Sequence, residues 1–194
     1  MTKKTDRCLV ESIGEGDPHA YRELVDRYKT MVFTLALRIL RNKEDAEEVA
    51  QDTFMKAYKG LSSFQGDSKF STWLYKIAYR ASLDHLKKNN RRIDQNSMDV
   101  SNAHYLKAAG DITDEMVHKE RVTIIKQAIE ALSPRDSAII TLFYMEERSL
   151  KEIAEVLGLS AAVIKVRLFR SRKQLATILQ HKLEPEMTAS YEKR

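Results

Sequence analysis

The segment Ser149–Arg172, SLKEIAEVLGLSAAVIKVRLFRSR, restricts the fold more than any other stretch of the chain. Ile153, Ala154, Val156 and Leu157 recur at helical spacing and form one apolar face. Gly158 offers the left-handed conformation with which helices often end. Ser160 can cap a following helix through its hydroxyl. On that second helix Ile164 and Leu168 lie four apart and can pack back on the first, where Ala154 is small enough for a close crossing. From Lys165 to Lys173 the chain carries Lys165, Arg167, Arg170, Arg172 and Lys173 and no acid. Two short helices, a tight turn and a basic second helix make the layout of a helix-turn-helix, whose second helix enters the DNA major groove. The same spacing also fits a plain helical hairpin with a solvated basic face.

The rest of the chain is helical in pattern. Only 6 Gly and 3 Pro interrupt 194 residues, and no strand-like alternation is present. Helices are expected over Asp6–Ile13, from Pro18 to about Arg41, over Asn42–Lys59 and over Phe70–Asn90. Asp17 caps the second, with Pro18 at its first position. Residues 91–113 lose periodicity, and from Arg92 onward the charges are mostly acidic, with Asp94, Asp99 and Asp111 against Lys107. Such a stretch is long for a loop inside one domain and reads as a flexible linker. Further helices are expected over Asp114–Leu132 and from Ser133-Pro134 to about Met145, followed by the opening motif and, after Leu183, a frayed tail. The expected fold class is therefore all-α, with two small helical domains. They span 1–92 and 114–183, with a linker at 93–113 and a tail at 184–194.

Charge and chemistry narrow the function classes. The net charge of +5 is modest, so its distribution carries the information. The lone Cys8 excludes an internal disulfide and a multi-cysteine zinc site, in keeping with a cytoplasmic protein. The five histidines are scattered without ligand spacing, so no metal and no cofactor are expected. No phosphate-binding glycine loop, nucleophile elbow or clustered catalytic set is present, which argues against an enzyme. The start of the chain lacks a signal core, and no apolar run reaches membrane-spanning length, so no membrane insertion is expected.

Two helices of the first domain carry opposite charge. Glu44, Asp45, Glu47, Glu48 and Asp52 crowd one helix, and Glu47, Glu48, Gln51, Asp52 and Met55 share the face opposite its apolar stripe. That face is either a solvated surface near a helix N-terminus or a dock for a basic partner. On the next long helix Lys76, Arg80, Asp84 and Lys87 share a face, with Tyr75 and Tyr79 beside them. Cations track phosphates and aromatic faces stack on unpaired bases. The alternative is that both tyrosines belong to the edge of the core. Trp73 lies in the inward stripe.

Several ordered motifs then resemble one family. They are Asp17-Pro-His-Ala-Tyr-Arg-Glu-Leu, Asp45-Ala-Glu-Glu-Val-Ala-Gln-Asp-Thr-Phe54, Phe70-Ser-Thr-Trp-Leu-Tyr-Lys-Ile-Ala78, Leu83-Asp-His-Leu-Lys87, Leu132-Ser-Pro-Arg135 and the opening motif. Together they resemble the small two-domain sigma factors of the sigma-70 family, the extracytoplasmic-function (ECF) group, over nearly all of residues 10–180. The resemblance implies a core RNA polymerase dock at Glu47, Glu48, Gln51, Asp52 and Met55. It implies minus-10 contacts, to duplex and melted non-template strand, from Phe64, Gln65, Asp67, Ser68, Lys69, Lys76, Tyr79, Arg80 and Lys87. Within that set, the loop 61–69 would capture a flipped base. It implies minus-35 contacts from Ser160, Ala161, Ala162, Val163, Lys165, Val166, Arg167 and Arg170. An anti-sigma factor is a further implied partner, and the expected location is the cytoplasm, on the nucleoid when active.

Three departures from the family pattern matter. Lys76 and Ile77 stand where large housekeeping relatives carry a tryptophan pair, so melting should lean on a good promoter match. Arg80 replaces a frequent Asn. Val163 and Val166 stand where relatives often have Thr and Ser, and cannot donate hydrogen bonds to phosphate. Contact with a thymine methyl and inward packing both remain open for them. The alternative class is a conventional helix-turn-helix regulator, which would bind duplex DNA without polymerase and would need a dimer to read paired half-sites.

Overall fold

Helix boundaries follow local chemistry closely. The computed structural model describes residues 4–95 and 114–191, with side chains over 4–91 and 121–181. The order is α1 (Asp6–Gly14), α2 (Pro18–Leu40), α3 (Lys43–Gly60), a 3-10 turn (Leu61–Ser63), α4 (Phe70–Gln95), α5 (Asp114–Glu130), α6 (Pro134–Ile140) running into a π-helical turn (Thr141–Met145), α7 (Leu150–Leu157) and α8 (Ala161–Tyr191). No strand occurs among the described residues. Asp17 accepts from the His19 N–H at the start of α2, Asn42 from the Asp45 N–H at the start of α3, and Ser133 from the Asp136 N–H at the start of α6. Each satisfies a backbone donor that the first helical turn leaves free.

Helices α1 to α4 form one unit. Leu24, Val32, Leu35 and Ile39 of α2 meet Leu74 and Ala78 of α4, while Ala57 of α3 completes the core. Ala36 and Leu40 of α2 form a second cluster with Ala46 and Val49 of α3 and Ala81 of α4. Arg27 ties α1 to α2, reaching Asp6 Oδ1 at 2.5 Å and the Lys4 carbonyl at 2.8 Å. The Tyr28 hydroxyl donates to the other Asp6 oxygen. Burial, then that hydrogen bond to a carboxylate, raises the tyrosine's pKa above its ordinary value.

Helices α5 to α8 form the second unit, built on Leu132, Ile139, Leu142, Ile153, Ile164 and Leu168, all buried. The two units pack together, and one apolar cluster runs through both. Arg38 of α2 is nearly fully buried and pairs with Glu130 of α5 at 3.0 Å. Burial pulls the guanidinium pKa down and Glu130 opposes that shift. Arg41 closes α2 in the left-handed region at φ 59, and its Nη2 donates to the Leu132 carbonyl. That hydrogen bond helps offset the cost of about 1 kcal/mol for a left-handed residue with a Cβ.

Two boundaries differ from expectation. Helix α4 continues to Gln95, so five residues assigned to the end of the first domain or the linker are helical, and the remainder of the linker lies outside the described residues. Helix α8 does not fray at Leu183, and its backbone stays helical to Tyr191. The extension holds Leu183, Glu184, Glu186, Met187 and Ala189, all strong helix formers. Their propensity carries the helix past Pro185, which withholds one backbone N–H.

Candidate nucleic-acid and protein interfaces

The helix-turn-helix is built as its residues require. Gly158 ends α7 at φ 68 and its N–H returns to the Ala154 carbonyl. Ser160 Oγ accepts from the Val163 N–H at 3.3 Å and so caps α8. Ile153, Ala154 and Val156 of α7 meet Ile164 and Leu168 of α8 in the buried core, with Leu157 partly buried beside them. Ser149 and Glu152 form a reciprocal capping box at the start of α7. The Ser-x-x-Glu spacing signals this box, though the sequence reading did not use it.

The outward face of α8 is basic at its flanks and apolar at its centre. Lys165 and Arg170 are exposed, Arg167 is half-buried, and Ala161 is half-buried at the helix start beside exposed Ala162. Val163 and Val166 point outward, 42% and 49% exposed, with Phe169 at 61%. Inward packing is thereby excluded for both valines. Arg167 is not free: its Nη1 lies 2.8 Å from Asp136 of α6. Arg172 is also occupied, lying over the Phe143 and Tyr144 rings at 5.1 and 5.4 Å.

On α3 the acidic face is presented to solvent. Glu47, Glu48, Gln51 and Met55 are exposed, Met55 at 60%, and Asp52 is partly exposed and pairs with Lys56 at 2.7 Å. Beside it a groove of about 450 Å³ between α2 and α3 is lined by Val25, Phe33, Ala50 and Phe54, with Glu47 and Gln51 at its edge. Asp45, Glu48 and His85 bring ligand-capable atoms within 4.8 Å of one another. His85 Nε2 already lies 3.0 Å from Asp45 Oδ1, and Asn89 donates to the other Asp45 oxygen at 3.2 Å. Asp45 is thus already held by the imidazole and by an amide.

The loop before α4 is held by its aromatic residues. Phe64 packs edge-on against Phe70 and tilted against Trp73, at 5.7 and 5.3 Å between centroids. The Trp73 ring lies against Gly60, where a Cβ would stand 3.6 Å from it. Phe64, Gln65, Ser68 and Lys69 border a cavity of about 600 Å³ floored by Tyr28 and Phe70. Asp67 is exposed on the same loop.

Along α4 the cations and tyrosines part company. Arg80 and Lys87 are exposed and Lys76 is half-buried. Tyr75 is fully buried and Tyr79 is 3% exposed. Tyr79 is therefore corrected from a minus-10 contact to a core residue. Its helix is covered by α2 and α3 on one side and by α7 on another, and the ring fills that layer. Tyr75 serves the seam between units: its hydroxyl lies 3.0 Å from Glu146 Oε2, and the Arg148 guanidinium stands 5.4 Å over its ring. In this arrangement neither ring is exposed for stacking on unpaired bases.

The second unit also reaches the loop. Lys69 Nζ pairs with Glu152 Oε1 at 2.9 Å, and Arg148 lines the loop cavity. Burial pushes the Glu152 carboxyl up, but hydrogen bonds from Lys69 and Ser149 outweigh it and hold the pKa at about 2. At the other end of the seam, Lys87 and Arg167 line one cavity with Ser133 and Pro134. Residues expected at two separate promoter elements are thus neighbours in this arrangement.

Comparison with known proteins decides the family. Residues 24–92 match the family model for sigma-70 region 2, and residues 123–175 match that for sigma-70 region 4. The RNA polymerase sigma-H factor of Pseudomonas aeruginosa is 31% identical over 186 residues, covering 93% of this chain and 96% of that protein. The chain belongs to the ECF sigma factor family. SigW of Bacillus subtilis, another ECF sigma factor, is 32% identical over 173 residues, covering 86% of this chain and 92% of SigW. Two solved structures share the fold. The sigma factor RpoE of Bartonella quintana, in complex with the anti-sigma factor NepR, gives a TM-score of 0.68 at 22% identity, over 82% of this chain and 96% of that one. CnrH, in complex with the cytosolic domain of CnrY, gives 0.67 at 22% identity, over 92% and 99%. Within this sigma factor, no described helix is long and apolar enough to cross a membrane.

Proposed function

We propose that this sigma factor binds core RNA polymerase through the outward face of α3 and carries it to promoters that it reads at two places. The observation behind this reading is the separation of charge. An exposed acidic face lies on α3, with exposed Met55 at its C-terminal end, and exposed cations lie on α4 and α8. Polymerase would dock on Glu47, Glu48, Gln51, Asp52 and Met55. The minus-10 element would meet Phe64, Gln65, Asp67, Ser68 and Lys69 around the loop cavity, with Lys76, Arg80 and Lys87 on the strand or duplex edge. The minus-35 element would meet the start of α8, from Ser160 to Arg170. The units 1–92 and 114–183 would act as two modules of one address, joined by 93–113. An anti-sigma partner would hold the chain inactive by covering these surfaces, and the chain would work in the cytoplasm at the nucleoid.

Run-off transcription with purified core polymerase tests this. A promoter-specific transcript that requires the chain is expected. Neither core binding nor a specific transcript would sink the reading. A variant with Glu48→Lys and Asp52→Lys should lose core binding while melting like the parent, because both residues lie on the solvent side of α3. Unchanged affinity would move the dock elsewhere.

A further inference from the structure

The outward start of α8 presents hydrocarbon where a groove-reading helix usually presents donors. Ala162, Val163 and Val166 lie on its first two turns, and N-terminal residues of a recognition helix are those that reach base edges. Both valines are close to half exposed. A groove of about 640 Å³ runs beside them, lined further by Arg170 and Gln174. Its one acid, Asp136, is neutralised by Arg167 at 2.8 Å. From Ala161 to Lys182 the chain has no acid, and exposed Lys165, Arg170 and Lys173 surround the apolar strip. The charge complements a polyanion rather than an apolar protein surface. In the DNA major groove, thymine alone among the four bases offers a methyl group.

We propose that Val163 and Val166 are specificity determinants that read thymine C5-methyl groups in the minus-35 element. The proposal rests on the sigma factor reading above and adds to it a base preference. Val166 precedes Arg170 by about one helical turn, ~6 Å, or about two base-pair steps. A thymine is therefore expected within about two base pairs of the base that Arg170 reaches, and arginine prefers guanine. The valines act through the methyl groups, so the contact is blind to phosphate charge and to salt.

The test uses the full chain with core polymerase and a duplex library randomised across the minus-35 stretch. Selected sequences are then resynthesised with each thymine in turn replaced by deoxyuridine, which removes only the methyl. At one or two positions the replacement should weaken binding about fourfold, the worth of one buried methyl. With Val166→Ala, or Val163→Ala for the neighbouring position, thymine and deoxyuridine probes should bind alike. Thermal melting checks that each variant folds. Two outcomes overturn the proposal and leave the sigma factor reading standing. One is a defined minus-35 preference indifferent to deoxyuridine at every position. The other is a thymine-to-deoxyuridine ratio that neither variant changes. Failure to direct any specific transcript would remove the functional reading and this proposal together.

Discussion

Helices α4 and α8 look alike in sequence and differ in use. Both are long, both carry cations, and both set large apolar or aromatic side chains beside them. On α4 the tyrosines face inward, with Tyr75 fully buried and Tyr79 at 3% exposure. On α8 the equivalent decoration faces out, with Val166 and Phe169 near half exposed or more. The difference is how much of each helix surface is packed. Helix α4 meets α2, α3 and α7 and buries Tyr75 and Tyr79, whereas α8 meets α5, α6 and α7 along one stripe, Ile164, Leu168 and Ser171, and leaves Val163, Val166 and Phe169 exposed. An apolar side chain beside a cation therefore reports function only where the helix has one covered side.

The largest effect that could break this comparison is on stability. Tyr79→Ala should remove a packed ring from the core and cost about 3–5 kcal/mol. Val166→Ala should change stability by no more than about 0.5 kcal/mol, as for other surface positions. Urea unfolding of both variants checks the pair. A Tyr79→Ala variant as stable as the parent would put the ring outside the core and restore base stacking to α4.

A middle-sized effect tests the seam that covers α4. Glu152 caps α7 through Ser149 and pairs with Lys69 of the neighbouring unit. Glu152→Gln should cost about 1 kcal/mol, the usual scale for a cap or a hydrogen bond to a charged group. The pH dependence has a definite sign. The Glu152 pKa is about 2 in the folded chain, below the ordinary carboxylate value. Its contribution is complete above about pH 5 and is lost as pH falls from the ordinary carboxylate range through about 2. Glu146 faces Tyr75 across the same seam and titrates the other way: burial raises its pKa and Arg148 opposes. Protonating Glu146 thus relieves a cost as pH falls. Parent and Glu152→Gln melting curves should converge toward pH 2, and Glu146→Gln should flatten the opposite trend. Curves that stay parallel from pH 7 to 2 would refute the role of the Lys69 pair.

Much of this was legible from local chemistry. Asp17 and Pro18, Gly158 and Ser160 mark their helix ends through rules that act within four residues, and each does so in the structure. The acidic face of α3 was legible because its apolar stripe is narrow and one-sided. The burial of Tyr79 was left open in the sequence, between the edge of the core and a base-stacking ring, though a clue existed. Phe70, Trp73, Leu74, Tyr75, Ile77, Ala78 and Tyr79 make the start of α4 apolar nearly all round, the mark of a helix covered on several sides. The Arg38–Glu130 and Lys69–Glu152 pairs carry no local signal. They depend on how two units meet, and periodicity within a helix says nothing about that. The outward aim of Val163 and Val166 needed the packing as well, since valines on a helix ordinarily mark its inward side.

The smallest expected effect separates two kinds of contact on α8 itself. Lys165 and Val166 are adjacent and both exposed, yet their chemistry predicts different signatures on duplex DNA. If Lys165 neutralises a phosphate, Lys165→Ala should weaken binding to every sequence about equally and lower the magnitude of the log–log salt slope by about one. Val166→Ala releases no counterion, so its slope should match the parent while its thymine preference falls. Binding of the polymerase-bound chain to minus-35 duplexes across a salt series measures both. Equal slopes for parent and Lys165→Ala would take that lysine off the phosphate. A slope altered by Val166→Ala would mean that the valine shapes the electrostatic contact. The contrast drawn between apolar reading and charged anchoring on this helix would then fail at its centre.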